Sequence, residues 1–153
     1  MDGLLVIAHA PSPNTLAMRE ALVTGAQKED SSVSILVQSP FDTCADDMLK
    51  ARAYIMLTTE NLGYMAGAMK DLFDRTYYDL VDVTSGRSYA MAIRAGYDGT
   101  GTRRAVERIV GAGLGWSAVQ HPLVCRGQWD DKWLDDCARL GQAMAAGLAL
   151  GIY

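Results

Sequence analysis

Short apolar runs alternate with amphipathic stretches along the whole chain. Leu4 to Ala8 (LLVIA), Val33 to Val37 (VSILV), Ala53 to Leu57 (AYIML) and Ser88 to Ile93 (SYAMAI) have the continuous apolar character of strands buried on both faces. Ala118 to Val124 is a weaker fifth strand. Pro122 has no N–H for a ladder and so assigns it to an edge.

Between these runs the apolar spacing changes to three and four. Ser12-Pro13 supplies a cap and a first helical residue, and Asn14 to Gln27 reads as helix. Thr43 begins a short helix with Asp46 and Asp47 near its positive end. Met65 to Leu80 carries the strongest pattern, with Met65, Met69, Leu72, Phe73, Thr76 and Leu80 on one stripe. Lys70/Asp74 and Asp71/Arg75 form i,i+4 pairs on another face. Thr102, Ala105, Val106, Ile109 and Val110 give a fourth helix its inner face, ended by the glycines at 111, 113 and 115. Trp129, Trp133, Cys137, Leu140, Met144 and Leu148 trace the last helix.

Five strands each followed by a helix predict a parallel sheet with helices on both faces, order 2-1-3-4-5. The length of 153 residues fits one domain, with no repeat or linker. Lys plus Arg total 14 against 18 Asp plus Glu, a net charge of −4, which argues against a nucleic-acid partner. The longest strongly apolar stretch, Ala143 to Tyr153, is too short for a membrane span, and MDGLLVIAHA lacks the basic start of a signal peptide. Cys44, Cys125 and Cys137 stand in apolar surroundings and read as reduced core thiols of a cytoplasmic protein. His9 and His121 are the only histidines, and neither CxxC nor HExxH occurs, so no metal site is expected.

In such a sheet ligands bind beyond the carboxyl ends of the strands, where strand order reverses. Three loops therefore matter: His9 to Thr15, Thr58 to Tyr64 and Ala95 to Thr102. In the first, Ser12 as N-cap and Pro13 as first residue leave the amides of Asn14, Thr15 and Leu16 free to face an anion, aided by the helix dipole. A plain helix cap accounts for the same residues. In the second, Gly63 permits a tight turn, and Tyr64 presents a ring ahead of a small-residue helix start, Ala66-Gly67-Ala68, that lets a flat ligand come close. Equally, Tyr64 is a helix-start staple and Gly67 a close-packing residue.

Other phosphate motifs are missing: there is no GxxxxGK[ST], and no GxGxxG follows the first strand. Gly99-Thr100-Gly101-Thr102 is a lone GxG. Ser12 sits on no GxSxG elbow, which sets aside a Ser12–His9–Asp98 hydrolase triad. Asp98 reads as an Asx turn residue before Gly99. Arg103, Arg104 and Arg108 share an exposed helix face that could meet a nicotinamide phosphate or simply be solvated.

LLVIAHAPSPNT, TTENLGYMAGAMKDLFDR and GYDGTG together resemble the flavodoxin-like superfamily, in particular its NAD(P)H-dependent FMN reductase and quinone reductase branch. Met65 to Arg75 is similar to that branch's small-small-x-Lys-x-Phe/Leu-x-Asp-Arg helix. The resemblance implies a flavodoxin-like doubly wound three-layer sandwich over essentially the whole chain. It implies that Ser12, Asn14 and Thr15, with His9 beside them, hold an FMN phosphate. Thr59, Glu60, Asn61, Leu62 and Gly63 then form the turn whose backbone contacts the isoalloxazine ring, and Tyr64 is the aromatic near its face or edge. Gly96, Tyr97 and Asp98 close over the pyrimidine side. Ala10 stands where the family usually has Ser or Thr, and Pro13 where it often has Gly; both reduce the phosphate donors.

The implied activity is hydride transfer from NAD(P)H to the flavin and on to a quinone, free flavin or other small-molecule acceptor. It requires no catalytic side chain. An electron-carrying flavodoxin and a domain of this fold without cofactor are the alternatives. Proteins of this kind usually dimerise, and Tyr77, Tyr78 and Trp116 are the large aromatics available for a homodimer surface.

Overall fold

The computed structural model describes residues 3–28 and 32–153; the first two residues of the run read for a leader lie outside it. Its elements are β1 (Gly3–Ala8), α1 (Pro13–Gln27), β2 (Ser34–Gln38), α2 (Ala45–Lys50), β3 (Ala53–Asn61), β4 (Tyr64–Met65), α3 (Gly67–Leu80), β5 (Ser88–Ala95), α4 (Thr100–Glu107), β6 (Ser117–Ala118), β7 (Leu123–Arg126) and α5 (Lys132–Ala149). The sheet runs β2-β1-β3-β5, and both β6 and β7 pair with β5 on its outer edge. All these pairings are parallel; β4 alone is antiparallel, folded back on β3. This is the expected order, with the fifth strand split in two at Val119–Pro122.

Strand alternation builds two cores. Leu5 and Ile7 of β1 join Met48, Met69, Leu72, Phe73, Val106 and Val110 on the face covered by α2, α3 and α4. Leu4, Val6 and Ala8 point the other way, to Met18, Leu22, Trp133, Leu140 and Met144 of α1 and α5. The α1–α5 pair is close because each helix presents a glycine to the other's backbone. A Cβ on Gly25 would lie 1.9 Å from the carbonyl oxygen of Ala138, and one on Gly141 would lie 1.9 Å from that of Leu22.

Several expectations are corrected. The third strand does not stop at Leu57 but continues to Asn61, so the second loop is a hairpin and α3 starts at Gly67, not Met65. Tyr64 is therefore a strand residue. Gly67 is exposed, with open space over its Cα, and packs closely on nothing. Cys44 is exposed at the start of α2, where its N–H donates to Asp47; Cys125 and Cys137 are the buried thiols. Thr43 precedes that helix and donates its hydroxyl to the Ser39 carbonyl. Trp129 lies ahead of α5. Trp116 is buried: it stacks on Tyr54 at 3.9 Å and 7° and donates its indole N–H to Thr84. The α4 helix relaxes into a π-helical turn at Arg108–Gly113, where the glycines remove the side chains that resist a wider winding.

Candidate functional site

The carboxyl ends of β1, β3, β5 and β7 lie along one edge of the sheet, and every candidate residue sits there. After β1, His9 is half-buried, and its N–H donates to the Leu57 carbonyl at 2.9 Å. Burial holds its imidazole below the usual pKa by disfavouring the charged form. Ser12 is the N-cap of α1 and Pro13 its first residue, as expected.

The donor count at this helix end is smaller than the sequence suggests. The Thr15 N–H donates to Ser12 Oγ at 3.2 Å, and the Ser12 N–H donates to Thr15 Oγ1 at 2.9 Å, a reciprocal capping box. Leu16 N–H is spent on the Ser12 carbonyl, and the Ser12 and Thr15 hydroxyls face each other at 2.9 Å. Among the described residues no group accepts from the Asn14 amide. Thr15 and Leu16 are thus removed from the set of free amides; the exposed Asn14 amide remains, and because the Thr15 hydroxyl donates to the Ser12 carbonyl at 3.1 Å, the Ser12 hydroxyl reaches a ligand only by turning from Thr15 Oγ1.

After β3, the chain turns at Leu62 and Gly63, with φ of +53° and +75°. Two successive left-handed residues make the tight hairpin turn that matches strand twist, and Gly63 takes its place without strain. The turn leaves Leu62 wholly exposed and Tyr64 42 % exposed. Thr59 Oγ1 donates to Asn61 Oδ1 at 2.7 Å, bracing the hairpin, and the Ala66 N–H donates to buried Thr58 Oγ1 at 3.1 Å.

Glu60 couples this hairpin to the loop after β5. Its carboxylate accepts the Tyr97 N–H at 2.7 Å and the Gly99 N–H at 2.8 Å. Thr102 Oγ1 adds a bond to the Tyr64 carbonyl at 2.9 Å, and a Cβ on Gly101 would lie 1.9 Å from the Gly63 carbonyl oxygen. Tyr97 remains 77 % exposed. Asp98 accepts the Thr100 N–H at 2.9 Å, the expected Asx turn, and that bond lowers its carboxyl pKa.

Two large cavities open at the sheet ends. One, about 540 Å³, lies at the carboxyl edge and is lined by Gly96, Tyr97, Asp98, Arg126 and Gly127. Arg126 was not among the sequence candidates. The rule applied to the first, third and fourth strands, extended to the fifth, would have found it. The other, about 560 Å³, lies at the opposite edge beside Arg52 and Arg87. Those guanidinium groups are spent: Arg87 donates to the carbonyls of Met48, Leu49 and Ala51, and Arg52 donates to that of Tyr153. Arg103 likewise pairs with Glu107. Among the described residues there is no cluster of metal-binding side chains, and no helix is long and apolar enough to cross a membrane.

No protein-family model matches the chain, and no curated protein does. Solved structures do. An archaeal flavodoxin superposes with a TM-score of 0.80 at 22% identity, over 96% of this chain and 99% of that one. A WrbA-like flavodoxin from Agrobacterium tumefaciens gives 0.73 at 13% identity, over 98% and 99%. The flavodiiron protein from Giardia intestinalis gives 0.81 at 9% identity, over 98% of this chain and 37% of its own. The fold is flavodoxin-like.

Proposed function

We propose that this chain binds FMN at the carboxyl edge of the sheet and acts as a redox protein, taking hydride from NAD(P)H and passing electrons to a small-molecule acceptor. The carrying observation is the convergence there of an open Asn14 amide at a helix N-terminus with the uncovered side chains of Leu62, Tyr64 and Tyr97. These groups fit a phosphate joined to a planar ring: an N–H and a hydroxyl beside the positive helix end for the anion, apolar and aromatic surface for the ring. FMN supplies hydride acceptance and onward electron transfer when bound.

The chain's own residues bind and orient. Asn14 N–H donates to the phosphate, and the Ser12 hydroxyl joins it by turning away from Thr15 Oγ1. Tyr97 and Tyr64 offer ring faces, and Leu62 shields the hairpin side from water. Glu60 fixes the separation of hairpin and loop by holding both the Tyr97 and Gly99 amides. The free thiols fit a reducing, cytoplasmic setting, and exposed Tyr78 with half-buried Tyr77 on α3 are the aromatics left for a homodimer surface. Light scattering tests the dimer.

Titration with FMN at tens of micromolar, read by quenching of flavin fluorescence, tests the cofactor. Absence of quenching refutes it. NADPH oxidation by the flavin-loaded protein then separates a reductase from an electron carrier. A cofactor-free domain is the second reading, favoured by the capping box that already satisfies Ser12 and Thr15 internally. On that reading Ser12→Ala changes stability alone; on ours it also weakens FMN binding.

A further inference from the structure

We propose that the cavity between the ends of β5 and β7 is a nucleotide subsite, taking the phosphorylated adenosine end of the nicotinamide donor, with Arg126 as its anion-binding residue. This rests on the hydride-donor reading above and concerns a place that adjoins the flavin site, sharing with it the loop after β5 and its Tyr97. The loops after β1, β3 and β5 frame the flavin site; this cavity lies on the side of β5 away from β3.

Its lining brings three chemistries to one broad, open depression. The exposed ring of Tyr97 offers a stacking surface for a base. The Asp98 carboxylate can accept from ribose hydroxyls, and the Arg126 guanidinium presents a fork that suits a phosphate. Gly96 and Gly127 line the same space, and a Cβ on either would meet nothing within 4 Å. The backbone there is open to a bulky ligand.

Arg126 is exposed and, among the described residues, makes no ion pair and no hydrogen bond, although its charge reaches the Asp98 carboxylate across the depression. It differs in this from Arg87, Arg52 and Arg103, whose guanidinium groups are engaged. Beneath the cavity Arg94 prepares the surface for an anion. It donates to the carbonyls of Ala95, Cys125 and Gly127, at 3.1, 3.0 and 2.7 Å. Of these, Gly127 lines the cavity, and its carbonyl dipole, which would repel a phosphate, is thereby offset. Arg94 is itself fixed over the rings of Trp133 and Trp129, 5.0 and 5.9 Å from their centroids. The cavity wall is held in place before any ligand arrives.

The test is calorimetric titration of the protein with 2′,5′-ADP, with adenosine as the uncharged comparison, for the wild type, Arg126→Gln and Arg126→Lys. We expect the wild type to bind 2′,5′-ADP more tightly than adenosine. Arg126→Gln should weaken it by about 10-fold or more, the usual weight of a charge-assisted contact, and Arg126→Lys by less. Saturating FMN should not displace 2′,5′-ADP. Absence of 2′,5′-ADP binding at millimolar concentration, equal binding by Arg126→Gln, or displacement by FMN each overturns the proposal. If FMN fails to bind while the nucleotide pattern holds, the flavin reading falls and the subsite stands. Thermal unfolding of both variants checks the fold, and Arg126→Lys decides if Arg126→Gln is unstable.

Discussion

Glu60→Ala removes the acceptor of two backbone N–H groups that join the β3–β4 hairpin to the loop after β5. A hydrogen bond to a charged group contributes about 1.5–3 kcal/mol when removal leaves its partner unsatisfied. The two bonds do not count equally. Tyr97 N–H is exposed and water replaces the carboxylate there at little cost, whereas Gly99 is buried and its amide is left without a partner. The sum is about 2–3 kcal/mol, which for a chain of this size lowers the melting temperature by about 4–12 °C. Glu60→Gln retains the shape but offers one acceptor, and its NH₂ faces the second N–H, so it recovers at most half. Melting followed by circular dichroism, with urea midpoints as a second measure, checks both variants. If Glu60→Ala and Glu60→Gln each melt within about 1 °C of the wild type, the coupling of hairpin and loop through this carboxylate is wrong.

Gly141→Ala places a methyl 1.9 Å from the Leu22 carbonyl oxygen, so α1 and α5 must separate. Overpacking of this kind costs about 1–3 kcal/mol, readable as a lower urea midpoint; an unchanged midpoint refutes the close crossing. His9 gives a pH dependence of defined sign. Burial sets its folded pKa below the ordinary 6.5, so the unfolded chain takes up the proton first as pH falls. The stability it contributes is complete above about pH 6.5 and is lost as pH drops through the folded value. Urea midpoints at about pH 7.5 and about pH 5.5 should therefore differ less in His9→Gln than in the wild type. An equal difference refutes it.

The layers and strand order were legible because they depend on periodicity, which burial enforces. The run Met65 to Leu80 announced the buried stripe, and Pro122 announced the broken edge strand. What periodicity does not carry is where an apolar run stops being sheet. Thr58 to Asn61 is polar, yet it stays extended because β4 returns along it, a pairing set by Leu62 and Gly63 both adopting positive φ. Spacing also could not tell which amides at the end of α1 were spent, since a Ser-x-x-Thr pair reads equally as an anion loop and as a closed capping box. Trp116 and Cys44 were misplaced for a shared reason. Their burial is decided by packing distant in sequence: Tyr54 and Thr84 enclose the tryptophan, whereas the exposed thiol donates to nearby Asp47.

The glycine crossing of α1 and α5 has a consequence for the order in which the molecule matures. The helix whose first turn belongs to the proposed phosphate site is seated by one near the other end of the chain, with about 115 residues between the contact points. On the ribosome α1 can coil early, but its seat is missing until Gly141 has emerged. Competence to capture a cofactor is then a late event in the life of the nascent chain, and shortened translation products should be blind to it.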